Sequence, residues 1–334
     1  MTEWRKRLRI DTVKTLLNSE NEAIIYFTKR DLLGEKVTAI DSIWGLAAPQ
    51  KIIKKQRADG SWEKAEKKKP IYPPNHYSLV ATFKQFRTLV EKYGFFKDHP
   101  SIPKAAEFLF SCQTPEGDIR GFLANQYATY YTGYILSLLI RAGYEFDPRV
   151  KKGMKWLLSM RQDGGGWTVP ILTHTWDKAT TYKLTSDFME PVEPDRTKPF
   201  SHMATDMVLR AFAAHPVYCK SKEAKAAGAL LKSRFFQSDA YTSYQSPRYW
   251  TRFAFWWPSL LTALDSLSLL GFTKDDPDII RGLHWFIDNQ EKDGLWKLES
   301  GKKINSKDTE EMLWLGLAVC RMLKRYHGGN QYFI

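Results

Sequence analysis

The stretch Gln162-DGGG-Trp167 decides the fold of this chain, because the same pattern recurs along it. A helix-like segment runs into a glutamine, a glycine-rich turn follows, and an aromatic residue comes next. The other copies are Gln56-RADGS-Trp62, Gln113-TPEGDIRG-Phe122 and Gln290-EKDGL-Trp296, with a degraded copy at Phe236-Gln237-Ser238-Asp239. Repetition of this kind indicates an array of similar helical units, each too small to bury its own apolar face.

Two kinds of helical pattern alternate between these glutamine turns. One kind ends at the glutamine and has a single apolar face, which predicts outer helices over residues 40–56, 102–113, 148–162, 221–237 and 277–290. The other kind follows the turn and is apolar on several sides, which predicts buried inner helices over residues 76–93, 127–142, 202–214, 256–270 and 310–326. Residues 3–17 and 20–33 add a sixth pair, the second with a capping box from Ser19 to Glu22. The pattern predicts an all-α protein with enough helices to close a ring.

Length and composition are compatible with one large domain. The chain has 334 residues and a hydrophobic content of 43%, which is ordinary for a globular protein. Its 12 Trp, 16 Tyr and 19 Phe exceed what the turns need, so the remainder must fill a core or line a cavity. The charged N-terminal segment lacks an apolar signal sequence and no apolar run reaches about 18 residues, so we expect a cytoplasmic protein without a membrane-spanning helix.

The net charge of +13 leaves two interpretations open. The basic residues, including the run at residues 64–69, could form a solvated surface. They could also attract anionic ligands such as diphosphates, or an acidic membrane surface. Nucleic acid is not expected as a partner, because no recognised binding motif accompanies the charge and the aromatic residues lie in helix patterns.

The order of glutamine, short glycine turn and tryptophan at the end of outer helices resembles the QW motif of the squalene–hopene and oxidosqualene cyclases. The resemblance covers about residues 40–326, and the same (α/α)6 toroid occurs in protein prenyltransferase β-subunits. It implies one toroid domain over residues 1–334, in which residues 1–39 complete the ring. It also implies that the long segment 167–200, which has no helical pattern of its own, lies over the cavity. One scaffold carries several chemistries, so the resemblance implies the fold more narrowly than the reaction.

The catalytic signatures of that group are absent from the expected places. In the cyclases, an Asp-x-Asp-Asp run at the start of an inner helix protonates an alkene, and aromatic faces stabilise the carbocations that follow. This chain has no such run, and in the nearest segment, residues 201–206, only Asp206 could serve. The prenyltransferase subunits hold zinc through an Asp-x-Cys pair, but Val208 stands two residues after Asp206. We therefore predict no metal and no cofactor.

The resemblance places the candidate site at the N-terminal ends of the inner helices. The candidate catalytic residues are Asp206, His202 one helical turn before it, and Asp187 in the long segment. A carboxylate inside an apolar helix needs either a partner, such as Arg210 at i+4, or a function. The candidate ligand-binding residues lie at helix starts or in the long segment: His76, Tyr77, Tyr127, Tyr131, His174, Trp176, Tyr249, Trp250, Arg252, Trp256, Glu310 and Trp314. Each of them could instead have a packing or helix-capping role.

Three functional hypotheses follow from these residues. The first is an enzyme acting on an isoprenoid, with Asp206 as acid or base, aromatic rings facing cations, and a diphosphate held by Arg248, Arg252 or Lys183. The second is a non-catalytic toroid that binds a small molecule or a protein partner. The third is a carbohydrate-active enzyme that uses Asp187 and Asp206 as its two carboxylates. The sequence does not distinguish among oligomeric states.

Overall fold

The computed structural model describes residues 2–63, 73–186, 189–241, 246–253, 258–299 and 306–328. These residues form two compact units. Unit 1 consists of the described residues within Met1–Ile43, Leu231–Asp239 and Tyr244–Ile334, and unit 2 of those within Trp44–Leu230 and Ala240–Ser243. The described residues contain no β-strand, and their isolated β-bridges lie between residues 113 and 126. The all-α class predicted from the sequence is confirmed.

The α-helices of the described residues are, in chain order, α1 (Glu3–Lys6), α2 (Thr12–Leu17), α3 (Glu22–Phe27), α4 (Asp41–Trp44), α5 (Ala47–Ile53), α6 (His76–Arg87), α7 (Ser101–Ser111), α8 (Thr129–Leu139), α9 (Pro148–Ser159), α10 (Lys178–Ser186), α11 (His202–Ala214), α12 (Lys222–Ser233), α13 (Leu260–Leu269), α14 (Pro277–Asp288) and α15 (Ser306–His327). Short π-helical turns at Thr28–Leu33, Thr88–Lys92 and Ile140–Tyr144 extend α3, α6 and α8. Short 3-10 turns lie at Pro170–Thr173, Tyr218–Lys220 and Pro247–Thr251.

Buried and one-faced helices alternate along the chain, as the sequence predicts. All thirteen residues of α11 are buried, and α8 is buried almost throughout. By contrast, α9 and α14 each bury one face, which in α14 consists of Ile279, Gly282, Leu283 and Phe286. In unit 2, α8 packs against α11, α9 and α6, and in unit 1, α15 packs against α1, α2, α3 and α13. This alternation of inner and outer helices is the building pattern of an α/α toroid.

The contact between α8 and α11 depends on a glycine. A Cβ atom built on Gly133 of α8 would lie 2.6 Å from the Cα atom of Val208 in α11. No side chain fits at that distance, so the two backbones approach as closely as they do only because position 133 is glycine. The close approach holds α11, which carries Asp206, firmly against its neighbour.

Four local predictions were wrong, and the last of them concerns residues 40–56, which form two helices, α4 and α5, with an extended Leu46 before α5. Asn21, not Ser19, caps α3, because its side chain accepts from the backbone N–H of Ile24 at 3.1 Å. Residues 3–17 form two helices instead of one, since Asp11 caps α2 and binds Arg5 at 2.5 Å. The segment 167–200 has a helix of its own, α10, although its sequence has no clear helical period. Short polar side chains that hydrogen-bond the backbone decided the first two outcomes.

Two histidines in unit 2, the half-buried His99 and the buried His215, accept hydrogen bonds from the backbone. His99 Nδ1 accepts from the N–H of Ser101 at 3.2 Å, at the start of α7. His215 Nδ1 accepts from the N–H of Val217 at 3.1 Å, while its Nε2 donates to the carbonyl oxygen of Glu145 at 3.0 Å. A ring nitrogen accepts only while it carries no proton. Burial lowers the pKa of both histidines below the usual value of 6.5.

These histidines predict that stability falls in mildly acidic solution. As the pH drops below about 6.5, the unfolded chain binds protons at these positions before the folded chain does, and stability is lost down to the lowered folded pKa. Above pH 6.5 the full stability is present. Urea unfolding at pH 7.5 and 5.5 should show the loss. His215→Asn keeps an acceptor but does not titrate there, so a pH dependence as steep as the unsubstituted protein's would contradict the role of His215.

Candidate functional site

Three of the glutamine turns share one hydrogen-bond pattern. The side-chain N–H₂ of the glutamine donates to the carbonyl of the turn glycine and to a carbonyl at the start of another helix. For Gln56 the acceptors are Gly60 at 3.0 Å and Ser101 at 2.8 Å. The corresponding acceptors are Gly117 and Arg149 for Gln113, and Gly294 and Ile10 for Gln290. Each glutamine therefore joins its own turn to a neighbouring part of the same unit.

The turn tryptophans satisfy the ends of the outer helices. In each case the indole N–H donates to the carbonyl of the residue ten positions earlier, in the last turn of the preceding helix. The pairs are Trp62 to Ile52 at 2.8 Å, Trp167 to Leu157 at 2.6 Å and Trp296 to Phe286 at 2.7 Å. The last carbonyls of a helix have no partner within the helix, so these bonds stabilise its C-terminal end.

Three inner-helix threonines complete the turns in unit 2, and the sequence analysis missed them. Thr82, Thr132 and Thr205 are fully buried. Their hydroxyl oxygens accept the backbone N–H of Trp62, Ile119 and Trp167 at 3.0, 3.0 and 2.9 Å. A hydroxyl inside an apolar helix needs a partner, and this was the signal that could have identified them. Thr205 fixes α11 to the third turn immediately before Asp206.

An aromatic group lies between the middle of α6 and the start of α8. Tyr131 stacks on Phe122 with ring centroids 3.8 Å apart, and Phe83 meets both rings edge-on. Tyr130 adds a further ring 4.5 Å from Tyr131. Phe83, Phe122 and Tyr130 are buried and Tyr131 is half-buried. We call these four residues, Phe83, Phe122, Tyr130 and Tyr131, the aromatic group.

His76 and Tyr77 begin α6 beside the second glutamine turn. The Nδ1 atom of His76 lies 2.7 Å from the carbonyl oxygen of Gly121, and its ring meets Tyr77 edge-on at 5.0 Å. Gly121 directly precedes Phe122 of the aromatic group. The structure thus brings these two predicted residues to the turn that carries Phe122.

A polar chain of buried and half-buried side chains crosses α11, α8 and the end of α6. Arg210 Nη2 lies 3.6 Å from Asp206 Oδ2, and the guanidinium carbon of Arg210 lies 4.4 Å from the ring centre of Tyr134. The hydroxyl of Tyr134 donates to Glu91, whose oxygens both lie 3.2 Å away. Glu91 in turn binds Arg87 Nε at 2.6 Å. The ring of Tyr134 also meets Phe83 at 5.2 Å, so this polar chain adjoins the aromatic group.

Two pKa shifts fix the charges of this polar chain. Burial would raise the pKa of Glu91, but Arg87, with Arg141 and Arg210, holds it below its usual value. Burial raises the pKa of Tyr134 to about 12, against the opposing charge of Arg87. At neutral pH, Glu91 is therefore a carboxylate and Tyr134 a neutral hydroxyl that donates to it.

The N-terminal end of α11 carries His202 and Asp206. Ser201 caps the helix by accepting the N–H of Ala204 at 3.2 Å, and His202 and Asp206, four residues apart, lie one turn from each other. His202 is buried, and Asp206 is 1% exposed. The structure confirms Arg210 as an ion-pair partner of Asp206. The third candidate catalytic residue, Asp187, lies outside the described residues.

The long segment 167–200 is anchored to the start of α8. Asn125 Nδ2 donates to the carbonyl of Met189 at 3.0 Å. Gln126 donates to the carbonyl of Glu190 and accepts the N–H of Val192 at 2.9 Å. Residues 189–192 of this segment are therefore held by hydrogen bonds to the residues that precede α8 in unit 2.

Tyr127 continues this anchor through two carboxylates. Its hydroxyl lies 2.7 Å from Glu116 Oε2 and 3.1 Å from Glu193 Oε1. Burial and the bond to Glu116 raise the pKa of Tyr127, so the hydroxyl stays protonated. His174 contacts the carbonyl of Glu193 through Nε2 at 2.8 Å, and Trp176, 38% exposed, donates to the carbonyl of Ile171 at 3.0 Å.

Five predicted ligand-binding residues lie in unit 1. Trp250 is buried and donates to the carbonyl of Gln237 at 2.9 Å, which connects it to the degraded fifth turn. Arg252 pairs with Glu299 at 3.5 Å and lies 5.9 Å from the ring of Tyr249. Glu310 accepts the indole N–H of the buried Trp314 at 3.3 Å. Trp256 lies outside the described residues. Ligand binding by all of these residues stays a prediction.

The described part of the chain shows neither a cluster of metal-ligating side chains nor a helix that could cross a membrane. No group of three or more His, Cys, Asp or Glu side chains there is placed to hold a metal ion. None of its helices is both long and apolar enough to cross a membrane. The single-domain organisation, the cytoplasmic location and an association with membrane surfaces stay predictions from the sequence.

Solved structures similar to this protein match it over nearly its whole length. A ligand-free variant of the type II terpene cyclase MstE from Scytonema has 14% sequence identity and a TM-score of 0.48, and the match covers 96% of this chain and 99% of that one. A variant in complex with its substrate, geranylgeranyl dihydroxybenzoate, has 12% identity and a TM-score of 0.45, with 95% and 99% covered. A protein from Actinoplanes has 14% identity and a TM-score of 0.46, with 94% and 88% covered.

No protein-family model matches the chain, and no curated protein matches it in sequence. The structural similarity concerns the helical fold and not the residues of the site.

Proposed function

We propose that this protein binds an isoprenoid-type apolar ligand and acts on it as a terpene cyclase-like toroid protein. The observation that carries the proposal is the aromatic group of unit 2, which adjoins the buried Asp206–Arg210 pair through Tyr134. Stacked and edge-on rings offer an apolar surface whose faces also attract positive charge. A terpene chain, and any carbocation formed on it, has the chemistry that such a surface stabilises.

Asp206 is the proposed proton-transfer residue of this site. The Arg210 guanidinium lies 3.6 Å from this carboxyl group, which is almost fully buried. As a carboxylate, this group suits the removal of a proton or the stabilisation of a cation, whereas protonating an alkene would require its protonated form. His202, one turn before Asp206, is proposed to assist the proton transfer. The similar structure that carries geranylgeranyl dihydroxybenzoate supports the choice of an isoprenoid as the first ligand to test.

The proposal predicts that geranylgeraniol quenches the tryptophan fluorescence of the protein with a saturable binding curve. Tyr131→Ala should weaken this binding about tenfold, because it removes a large ring face from the aromatic group. Tyr182→Ala is the matched control, since Tyr182 is 60% exposed on α10 and its removal should leave the binding constant unchanged.

Product analysis then separates catalysis from binding. Incubation with squalene, prenyl diphosphates and geranylgeraniol should give a cyclised or rearranged product that Asp206→Asn abolishes. Binding without any product would favour the non-catalytic hypothesis. Absence of binding to all of these compounds would overturn the proposal.

A further inference from the structure

We infer that Arg210 binds an oxyanion head group of the ligand, a carboxylate or a phosphate, through the Nε and Nη2 edge of its guanidinium group. The inference rests on the proposed function for the hydrocarbon part of the ligand, and it specifies the chemistry of the other end. It places the head group beside Asp206, deep in unit 2, and the hydrocarbon on the aromatic group.

The donors of Arg210 are buried without hydrogen-bond acceptors. Its side chain is 8% exposed, and neither Nε nor Nη2 has a hydrogen-bond partner among the described residues. The ion pair with Asp206 does not fill this role, because 3.6 Å from Nη2 to Oδ2 is longer than an N–H to oxygen hydrogen bond. Buried donors that lack acceptors cost free energy, and an oxyanion on this edge would remove that cost.

The same guanidinium edge binds carboxylates elsewhere in the chain. In four other arginines, Nε and Nη2 each donate to the same carboxylate group, and the pairs are Arg5 with Asp11, Arg120 with Asp118, Arg149 with Asp147 and Arg321 with Asp31. This edge presents two parallel N–H groups, which match the two oxygens of a carboxylate or phosphate. On Arg210 the same edge has no such protein partner.

The neighbours of Arg210 include the ring of Tyr134 and the carboxylate of Glu91. The ring of Tyr134 lies against the guanidinium at 4.4 Å, a contact that does not use the N–H groups of the edge. Three guanidinium groups act on this region, those of Arg87, Arg141 and Arg210, against the carboxylates of Glu91 and Asp206. An oxyanion on the Arg210 edge would be attracted by the positive charge of these guanidinium groups.

A panel of three C20 isoprenoids tests the inference. The panel shares one hydrocarbon and differs in the head group: geranylgeranoic acid, geranylgeranyl monophosphate and the neutral geranylgeraniol. The unsubstituted protein should bind at least one of the two anions about tenfold more tightly than the alcohol. Comparison of the acid with the phosphate shows which oxyanion the site prefers. Arg210→Lys keeps the positive charge but loses the two parallel N–H groups of the guanidinium edge. It should therefore remove the preference for the anions over the alcohol and leave binding of the alcohol nearly unchanged.

Arg161→Lys is the matched control, because Arg161 is also in unit 2 and also lies near an aromatic ring, that of Trp167, but is only half-buried. It should leave the anion preference intact.

Thermal unfolding of each variant, with and without inorganic phosphate and acetate, adds a measurement that does not need the hydrocarbon. An anion-dependent rise in the melting temperature that Arg210→Lys abolishes supports the inference even if no isoprenoid binds, in which case only the proposed function fails. Equal binding of acid, phosphate and alcohol overturns the inference while leaving the proposed function standing. Absence of both isoprenoid binding and anion stabilisation overturns both.

Discussion

Gly60→Ala is expected to lower the free energy of unfolding by about 3 kcal/mol or more, since two costs coincide at this position. Gly60 lies in the first glutamine turn with a φ of +85°, a conformation that residues with a Cβ atom rarely adopt. A Cβ atom there would also lie closer than 3.0 Å to the carbonyl oxygen of Lys104 in α7. Relief would require moving the turn away from α7, and the hydrogen bonds of Gln56 to Gly60 and Ser101 would be strained with it.

Gly164→Ala is the control for Gly60→Ala, because Gly164 lies in the third glutamine turn. A Cβ atom on Gly164 would meet nothing within 4 Å, and its φ is not in the left-handed region. We expect this variant to unfold at the same urea concentration as the unsubstituted protein, or at a slightly higher one. If Gly60→Ala and Gly164→Ala unfold at the same urea concentration, the first glutamine turn tolerates a Cβ atom at position 60 and the expected strain is absent.

The glutamine turns were predictable because their geometry depends on neighbouring residues. Gln, Gly and Trp lie within about ten positions, and the helix before each turn has a clear apolar face. The sequence therefore predicts most helices to within a few residues, including α11 at 202–214. The same local logic explains why the Gln56, Gln113 and Gln290 side chains make equivalent hydrogen bonds.

The candidate site was harder to predict, because its residues meet only through the packing of separate helices. Nothing near Tyr134 in the sequence indicates that its hydroxyl binds Glu91, which lies 43 positions earlier. The pair of Asp206 and Arg210 could be predicted from the sequence, because the two residues are four positions apart on one helix. The anchoring of residues 189–193 by Asn125, Gln126 and Tyr127 was likewise invisible, since the partners are more than sixty positions apart.

The Asp206–Arg210 pair is expected to give the second large effect. Asp206→Asn and Arg210→Met should each lower the free energy of unfolding by about 3 kcal/mol, because each substitution leaves a charge in a buried place without its nearest opposite charge. The free energy of unfolding of the double variant should fall by less than the sum of the two single losses, and the difference, the coupling energy, should be about 2 kcal/mol. Urea unfolding of all four proteins at pH 7.5 measures this coupling.

The exposed pair of Glu3 and Lys6 provides the comparison for this cycle. Its side chains are 68% and 56% exposed, so the matching cycle of Glu3→Gln and Lys6→Met should show no measurable coupling. Additive losses at Asp206 and Arg210 would mean that Arg210 does not stabilise a carboxylate at position 206, and alkene protonation by Asp206 would then be compatible with the site. A clear coupling would instead mean that Asp206 is kept charged by the fold itself. In that case any chemistry at this site has to begin from a carboxylate, and the ligand must supply the proton or the cation.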